Sequence, residues 1–273
     1  IVGYTTNTGL IDLVNRVTTL ENSAESPARV IWVADDDTGD FLKLSTALAS
    51  ITDATATKPY VIKIAPGVYT ETARVAMKNY VDVEGSGQNT TTINCACSND
   101  FEDASAVISA TAITAEIRHL TINNTGGSNQ YSYGVYTNNV ANESFSMLHV
   151  TATATGGALS TGVYNIESSP SMNNVTATAT GTNFSYGVFN NSSSPTMNNV
   201  TATATGGNGN YGVINITSSS PTIRNSSITG TTNSIVNNGS TAQVADSMLD
   251  GLVGGDGITC FGVYDESFAQ LIC

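Results

Sequence analysis

The sequence is poor in charge, since only 11% of its residues are Asp, Glu, Lys or Arg, against about 25% in an average soluble domain. No Lys or Arg lies between Arg118 and Arg224. The chain therefore offers no basic face to a nucleic-acid backbone or to an anionic membrane surface. No apolar run approaches the roughly 20 residues that cross a bilayer. We expect neither a nucleic-acid partner nor a membrane span.

Cysteine is also scarce, with four residues in the chain. Cys260 and Cys273 bracket a short C-terminal loop that a disulfide could close. Cys95 and Cys97 lie two apart on a predicted strand, at the limit of disulfide geometry, so a bulge, another partner or an intermolecular bond stays open. No Cys or His pair has zinc spacing, and we expect no metal site and no cofactor.

Acceptor triplets for N-glycosylation occur eleven times along the chain. These eleven triplets include the glycosylation candidates Asn89, Asn142, Asn183 and Asn215. Together with the Cys260–Cys273 loop, these triplets favour an extracellular or cell-surface protein.

Thr, Ser, Asn and Gly replace the missing charge, and they recur in a repeat. Val150 to Gly156 reads Val-Thr-Ala-Thr-Ala-Thr-Gly and returns as Val175 to Gly181 and as Val200 to Gly206, each copy 25 residues after the last. A period near 25 residues, built of short strand-like runs with turn residues between them, is typical of one coil of a β-solenoid.

The alternation inside each copy predicts which side chains point inward. Val and Ala face the interior, and the Thr residues form outward rows on stacked coils. The predicted ligand surface consists of Thr151, Thr153, Thr176, Thr178, Thr201 and Thr203. Such rows resemble the Thr-x-Thr arrays of some ice-binding solenoids, although Thr is also an ordinary solvent-facing strand residue.

The ends of the solenoid need covers, because an open strand edge pairs with other chains. Residues 41–51 place Leu44, Leu48 and Ile51 on one helical face, which predicts a cap helix. We expect one solenoid domain over residues 29–273, with about nine coils from residue 57 onward. Residues 1–28 form a separate predicted arm, whose short amphipathic helix carries Leu10, Leu13, Val17 and Leu20 as candidates for self-association.

Two segments resemble a known group of proteins. Val33 to Phe41 and Tyr60 to Glu71, with Gly67-Val-Tyr-x-Glu71 as the sharpest part, are similar to the opening of pectinesterases and other pectin-lyase-like proteins. The later Tyr-Gly-Val-Tyr-Asn and Ser-Ser-Pro-Thr-Met-Asn-Asn units resemble repeats of uncharacterised bacterial β-helix proteins. The resemblance implies an all-β fold, a right-handed parallel β-helix.

The same resemblance implies two aspartates, an arginine and glutamines on one face of the central coils for esterase activity. Nothing in this chain resembles the Gln-Asp-Thr, Asp-Phe-Ile-Phe-Gly or Leu-Gly-Arg-Pro-Trp motifs. Glu143 and Glu167 are the only acids from residue 119 to 223 and are expected to be solvated loop residues. The acidic run from Asp35 to Asp40 lacks EF-hand spacing, and His119 and His149 have no triad around them. We therefore predict no catalytic residues.

One aromatic row remains, formed by Tyr136, Tyr164 and Phe189 opposite the buried valines. If exposed, the row would be a platform for sugar rings; if buried, it would be core or a protein interface. The absence of catalytic motifs and the N-terminal arm favour a non-catalytic structural or adhesive protein that assembles with its own copies into a fibre or small oligomer. The alternative is a protein that binds or processes a pectin-like extracellular polysaccharide, and ice binding is a minor alternative.

Overall fold

A computed structural model describes residues 29–127 and 129–273. The predicted arm with Leu10, Leu13, Val17 and Leu20 lies outside these residues, and the boundary at residue 28 stays a prediction. No helix in the described part of the chain is long and apolar enough to cross a membrane.

The fold is a parallel β-solenoid of about eight turns, one fewer than expected. Its strands in chain order are β1 (Arg29–Val33), β2 (Tyr60–Ile64), β3 (Gly67–Glu71), β4 (Val75–Ala76), β5 (Val81–Glu84), β6 (Thr91–Cys95), β7 (Ser98–Asn99), β8 (Ala106–Thr111), β9 (Ala115–Asn124), β10 (Tyr131–Asn138), β11 (Phe145–Thr155), β12 (Leu159–Ile166), β13 (Ser171–Gly181), β14 (Phe184–Asn191), β15 (Thr196–Asn198), β16 (Thr201–Gly206), β17 (Gly209–Ile216), β18 (Thr222–Arg224), β19 (Ser227–Asn238), β20 (Ala242–Ala245), β21 (Met248–Gly254) and β22 (Ile258–Phe261).

Each coil contributes to three faces. The first face runs through β1, β2, β5, the first half of β9, β11 and β13, then β15, β18, β20 and β22. The second face holds β3, β6, the second half of β9, β11 and β13, then β16 and the start of β19 and β21. The third face holds β4, β8, β10, β12, β14, β17 and the end of β19.

On successive coils, a single residue with positive φ forms the corner between the first face and the second. These corner residues are His119, His149, Asn174, Asn199, Asn225 and Asp246. Asn tolerates the left-handed conformation, and its amide can bond to the coil above. Asn199 donates to Asn174 across one coil, so the corner carries an asparagine ladder.

The interior follows the predicted alternation. Val150, Val175 and Val200 stack in register and are almost fully buried. The alanines between the threonines are also buried, so three consecutive coils share one narrow core strip of small side chains.

The predicted cap helix is present, but it is shorter than 41–51. Helix α1 spans Leu44–Ser50 and buries Leu44, Ala47 and Leu48 against the first coils. Buried Glu71 accepts hydrogen bonds from the Ser45 amide at 3.1 Å and from the Ser45 hydroxyl at 2.6 Å. The glutamate of the Gly-Val-Tyr-x-Glu segment therefore fastens the cap to β3.

Both candidate disulfides are formed. Cys260 and Cys273 close the C-terminal loop. Cys95 is the last residue of β6, and Cys97 lies beyond the strand, so their Cα atoms are 5.1 Å apart. The Cα–Cα distance expected from the sequence was too long, because the strand was expected to continue through Cys97.

Candidate functional site

The outward side of the third face carries most of the aromatic side chains of the central coils. A Gly on each coil interrupts the alternation, because a Cβ at Gly134 or Gly162 would crowd the carbonyl oxygen of the equivalent Gly on the next coil and the second-face strand behind it. The side chains before and after this irregularity therefore both point outward. We call the resulting surface the aromatic face; it consists of Tyr131, Tyr133, Tyr136, Leu159, Tyr164, Phe184, Tyr186, Phe189 and Tyr211.

The aromatic rings contact one another from coil to coil. Tyr164 meets Phe189 edge-on with centroids 4.8 Å apart, and Phe189 meets Tyr186 edge-on at 4.9 Å. Tyr186 stacks on Tyr211 at 5.6 Å. Edge-to-face and offset stacked arrangements are favourable because of the ring quadrupole. The rings thus form a continuous, fixed surface over several coils.

Exposure changes along the aromatic face. Tyr136 and Tyr164 are buried with 4% and 6% exposure, whereas Phe184 is 37% exposed and Phe189 and Tyr211 are intermediate. The structure therefore combines both sequence-based alternatives: Tyr136 and Tyr164 are buried, and the later coils present rings to solvent.

Three hydroxyl groups of β10 and β12 are buried without a partner in the described structure. They belong to Tyr133, Ser160 and Thr161, and Tyr133 and Thr161 occupy equivalent positions on neighbouring coils. Burial raises the pKa of Tyr133 and Tyr164, and it raises the pKa of Tyr186 to about 12. These hydroxyls therefore stay neutral and able to donate at any physiological pH.

A short segment between residues 96 and 105 closes one end of the aromatic face, and we call it the end wall. The Cys95–Cys97 disulfide begins it, β7 pairs antiparallel with β10, and a 3-10 helix spans Asp103–Ser105. The buried Asn124 amide donates to the Cys97, Ser105 and Tyr133 carbonyls at 2.7–2.8 Å. The end wall is thus held rigidly against the aromatic face.

The end wall brings carboxylates to the aromatic rings. The Tyr164 hydroxyl lies 3.4 Å from Glu102 Oε1. Asp103 next to it pairs with Arg74. Sequence reasoning missed Glu102, Tyr133 and Tyr186, because the irregularity at the glycines and the fold of the end wall leave no periodic signal.

The predicted threonine surface lies on a different face. Thr151, Thr176 and Thr201 are in register on the second face, as are Thr153, Thr178 and Thr203. These side chains are mostly half-buried, and Thr151 is near the Gln88 amide at 3.4 Å. The second face does not join the aromatic face into one site, and its use as an ice-binding surface stays a prediction.

The remaining sequence candidates are scattered. Glu143 and Glu167 are exposed at turns, and no group of three or more His, Cys, Asp or Glu that could hold a metal occurs among the described residues. His119 and His149 stack at the first corner with centroids 5.0 Å apart. Asn89, Asn142 and Asn183 are exposed.

One of the glycosylation candidates, Asn215, is ruled out by its position in the structure. Its side chain is fully buried between Asn190, which donates to it at 2.8 Å, and Asn237, to which it donates at 2.8 Å. A glycan at this amide is incompatible with the folded chain.

Charged side chains also cluster on the first face, around Arg118. Its guanidinium pairs with Glu84 at 2.9 Å, with Glu116 at 3.2 Å and with Asp82 at 3.9 Å. The cluster links adjacent coils, but it has no aromatic surface or end wall beside it. We interpret it as an ion-pair network that holds β5 and β9 together.

Comparison with known proteins gives a match to the pectinesterase family model over residues 30–150. This range contains Glu102, the end wall and β10. No curated protein sequence matches the chain.

Several solved structures share the fold. Pectin methylesterase from carrot has 16% sequence identity and a TM-score of 0.59, covering 90% of this chain and 86% of that chain. Pectin methylesterase PemA from Erwinia chrysanthemi has 14% identity and a TM-score of 0.56, covering 88% and 90%. Pectin methylesterase from Yersinia enterocolitica has 12% identity and a TM-score of 0.59, covering 85% and 92%. At these identities the likeness shows a common fold.

The match to the pectinesterase model overturns two expectations from the sequence. The prediction of a non-catalytic structural or adhesive protein that forms fibres was wrong, as was the prediction that the chain is not an enzyme. Those predictions rested on the absence of three short motifs and on the predicted N-terminal arm, whereas the family model matches a longer stretch of the chain.

Proposed function

We propose that this chain, which has the right-handed parallel β-helix fold of the pectin-lyase-like proteins and matches the pectinesterase model over residues 30–150, binds and processes a pectin-type polysaccharide on the aromatic face. The observation that carries the proposal is the continuous aromatic surface that ends at Glu102 on the end wall. Ligand sites combine apolar and aromatic lining with a few fixed polar groups in this way.

The aromatic face suits a polymer of sugar rings. The exposed ring of Phe184 and the partly exposed rings of Phe189 and Tyr211 offer flat apolar area to the C–H faces of successive sugars. Neutral tyrosine hydroxyls between them can donate to ring and hydroxyl oxygens. Since the rings are already fixed by their neighbours, binding costs little side-chain entropy.

Charge selects the form of the polymer. The chain has a net charge of -13, and one of its carboxylates, Glu102 of the end wall, lies beside the rings. A fully ionised polygalacturonate would be repelled, whereas methyl-esterified pectin is neutral. The preferred substrate is therefore the esterified polymer.

Hydrolysis of a methyl ester needs a group that accepts a proton from the attacking water. Glu102 is the carboxylate placed nearest the aromatic rings, and a carboxylate can act as such a base. The Tyr164 hydroxyl beside it fixes its direction. We assign Glu102 as the catalytic residue of this proposal.

The test is methanol release from highly methyl-esterified pectin. Glu102→Gln keeps the shape and removes the base, so the rate should fall by about a hundredfold or more. Glu143→Gln, at an exposed turn away from the aromatic face, is the matched control and should be unchanged.

Two results would refute the proposal. The wild-type protein could release no methanol while remaining folded, which would exclude de-esterification. Alternatively, Glu102→Gln could act as fast as the control variant, which would exclude Glu102 as the base.

A further inference from the structure

A cavity of about 470 Å³ lies at the C-terminal end of the solenoid, on the corner between the first and second faces. It is therefore separate from the aromatic face. The corner residues Asn199, Asn225 and Asp246 form one side, and Tyr264 and Phe268 of the C-terminal segment also line it. Its volume is in the range of small-molecule sites.

The corner side of the cavity presents hydrogen-bond acceptors. The Asn225 amide donates to Asn198 Oδ1 at 2.9 Å, and the Asn199 amide donates to Asn174 Oδ1. Each of these bonds uses one N–H of the donating amide, so the oxygen of each amide can accept a hydrogen bond and its second N–H can still donate one. Asp246 continues the ladder with a carboxylate, which only accepts when ionised.

The aromatic side is held in place by the C-terminal segment. Asp265 Oδ1 accepts hydrogen bonds from the Ser267 amide at 2.9 Å, the Ser267 hydroxyl at 2.7 Å and the Ala269 amide at 2.9 Å. The Cys260–Cys273 disulfide closes the segment. Phe268 is 82% exposed and has φ of 63°, a conformation that is unfavourable for a bulky residue. An exposed ring fixed in a strained conformation is a feature of functional sites.

We propose that this cavity is a second glycan site, which binds one uncharged sugar ring. A sugar presents hydroxyl donors to the oxygens of Asn199, Asn225 and Asp246, and its C–H face to Phe268 and Tyr264. The Asp246 carboxylate repels a uronate, so the site discriminates against acidic sugars. The inference rests on the proposed function only in taking a sugar as the ligand.

The test uses a pair of probes that differ in charge, galactotriose and trigalacturonate. Backbone amide shifts in NMR spectra of the full chain report the binding position. Galactotriose should shift residues 246 and 262–268 in a saturable manner, and trigalacturonate should bind there at least about tenfold more weakly. Asp246→Asn should reduce this discrimination.

Variants identify the aromatic contribution. Phe268→Ala should weaken galactotriose binding by about tenfold or more. Phe261→Ala is the matched control, since Phe261 is 77% exposed and does not line the cavity. Circular dichroism confirms that both variants fold.

The inference is overturned if millimolar galactotriose causes no shifts at these residues, if Phe268→Ala binds galactotriose with unchanged affinity, or if trigalacturonate binds equally well. If Phe268→Ala does not fold, the position of the shifts and the comparison of the two probes still decide whether the cavity binds a neutral sugar. Glu102→Gln should leave this binding intact, so a failure of de-esterification and a failure of the cavity are distinguishable.

Discussion

On the first face, the few charged residues of the chain stabilise the fold through ion pairs around Arg118. Arg118 is shared by three carboxylates from two adjacent coils. Burial raises the pKa of Asp82. Burial acts in the same direction on Glu84, but hydrogen bonds from Arg118 and Lys63 outweigh it and lower the pKa of Glu84. Two acids on the same strand thus respond oppositely to the same network.

Glu84 predicts a pH-dependent contribution to stability. Its pKa is lower in the folded than in the unfolded chain, so its stabilisation is present above the unfolded pKa of about 4.3 and is lost as the pH falls through the folded value. Glu84→Gln should lower the free energy of unfolding by about 1 kcal/mol at neutral pH. Urea unfolding at several pH values should show the difference between variant and wild type shrinking in acid.

Glu167→Gln is the control, because Glu167 is exposed and has no salt bridge among the described residues. A difference for Glu84→Gln that stays constant down to acidic pH would argue against the ionised carboxylate as its source.

At the scale of the strand, a buried ladder of amides supports the aromatic face from inside. Thr137, Asn165, Asn190, Asn215 and Asn237 stand on successive coils of the third face and bond side chain to side chain at 2.7–2.9 Å. The sequence contains the signal for this ladder, since each of these residues follows a buried aliphatic residue by two positions. The ladder was nevertheless not predicted from the sequence.

Asn190→Ala tests the buried ladder. The change leaves the Asn165 amide and the Asn215 oxygen without partners inside the solenoid, and each such group costs about 1–3 kcal/mol. We expect the free energy of unfolding to fall by about 2–4 kcal/mol, measured by urea denaturation. Asn208→Ala, in an exposed pair with Asn183, should cost much less. Equal losses in the two variants would contradict the role assigned to burial.

At the scale of the molecule, regular features were predictable and irregular ones were not. The 25-residue repeat predicted the solenoid, the buried Val and Ala strip and the Thr rows, and the helical spacing of residues 41–51 predicted the cap helix, because each depends on periodicity. The aromatic face depends on an interruption of that periodicity at Gly134 and its equivalents. Glu102 reaches Tyr164 through an end wall that joins residues 62 positions apart in sequence. A pattern within a short stretch of sequence cannot predict such a contact.

The central claim is that a pectin-type polysaccharide lies on the aromatic face rather than on the threonine rows. Hydrogen–deuterium exchange with and without methyl-esterified hexagalacturonate tests it most directly. The account predicts ligand-dependent protection in β10, β12, β14 and the end wall. Protection confined to the second-face parts of β11, β13 and β16, with none on the aromatic face, would contradict it.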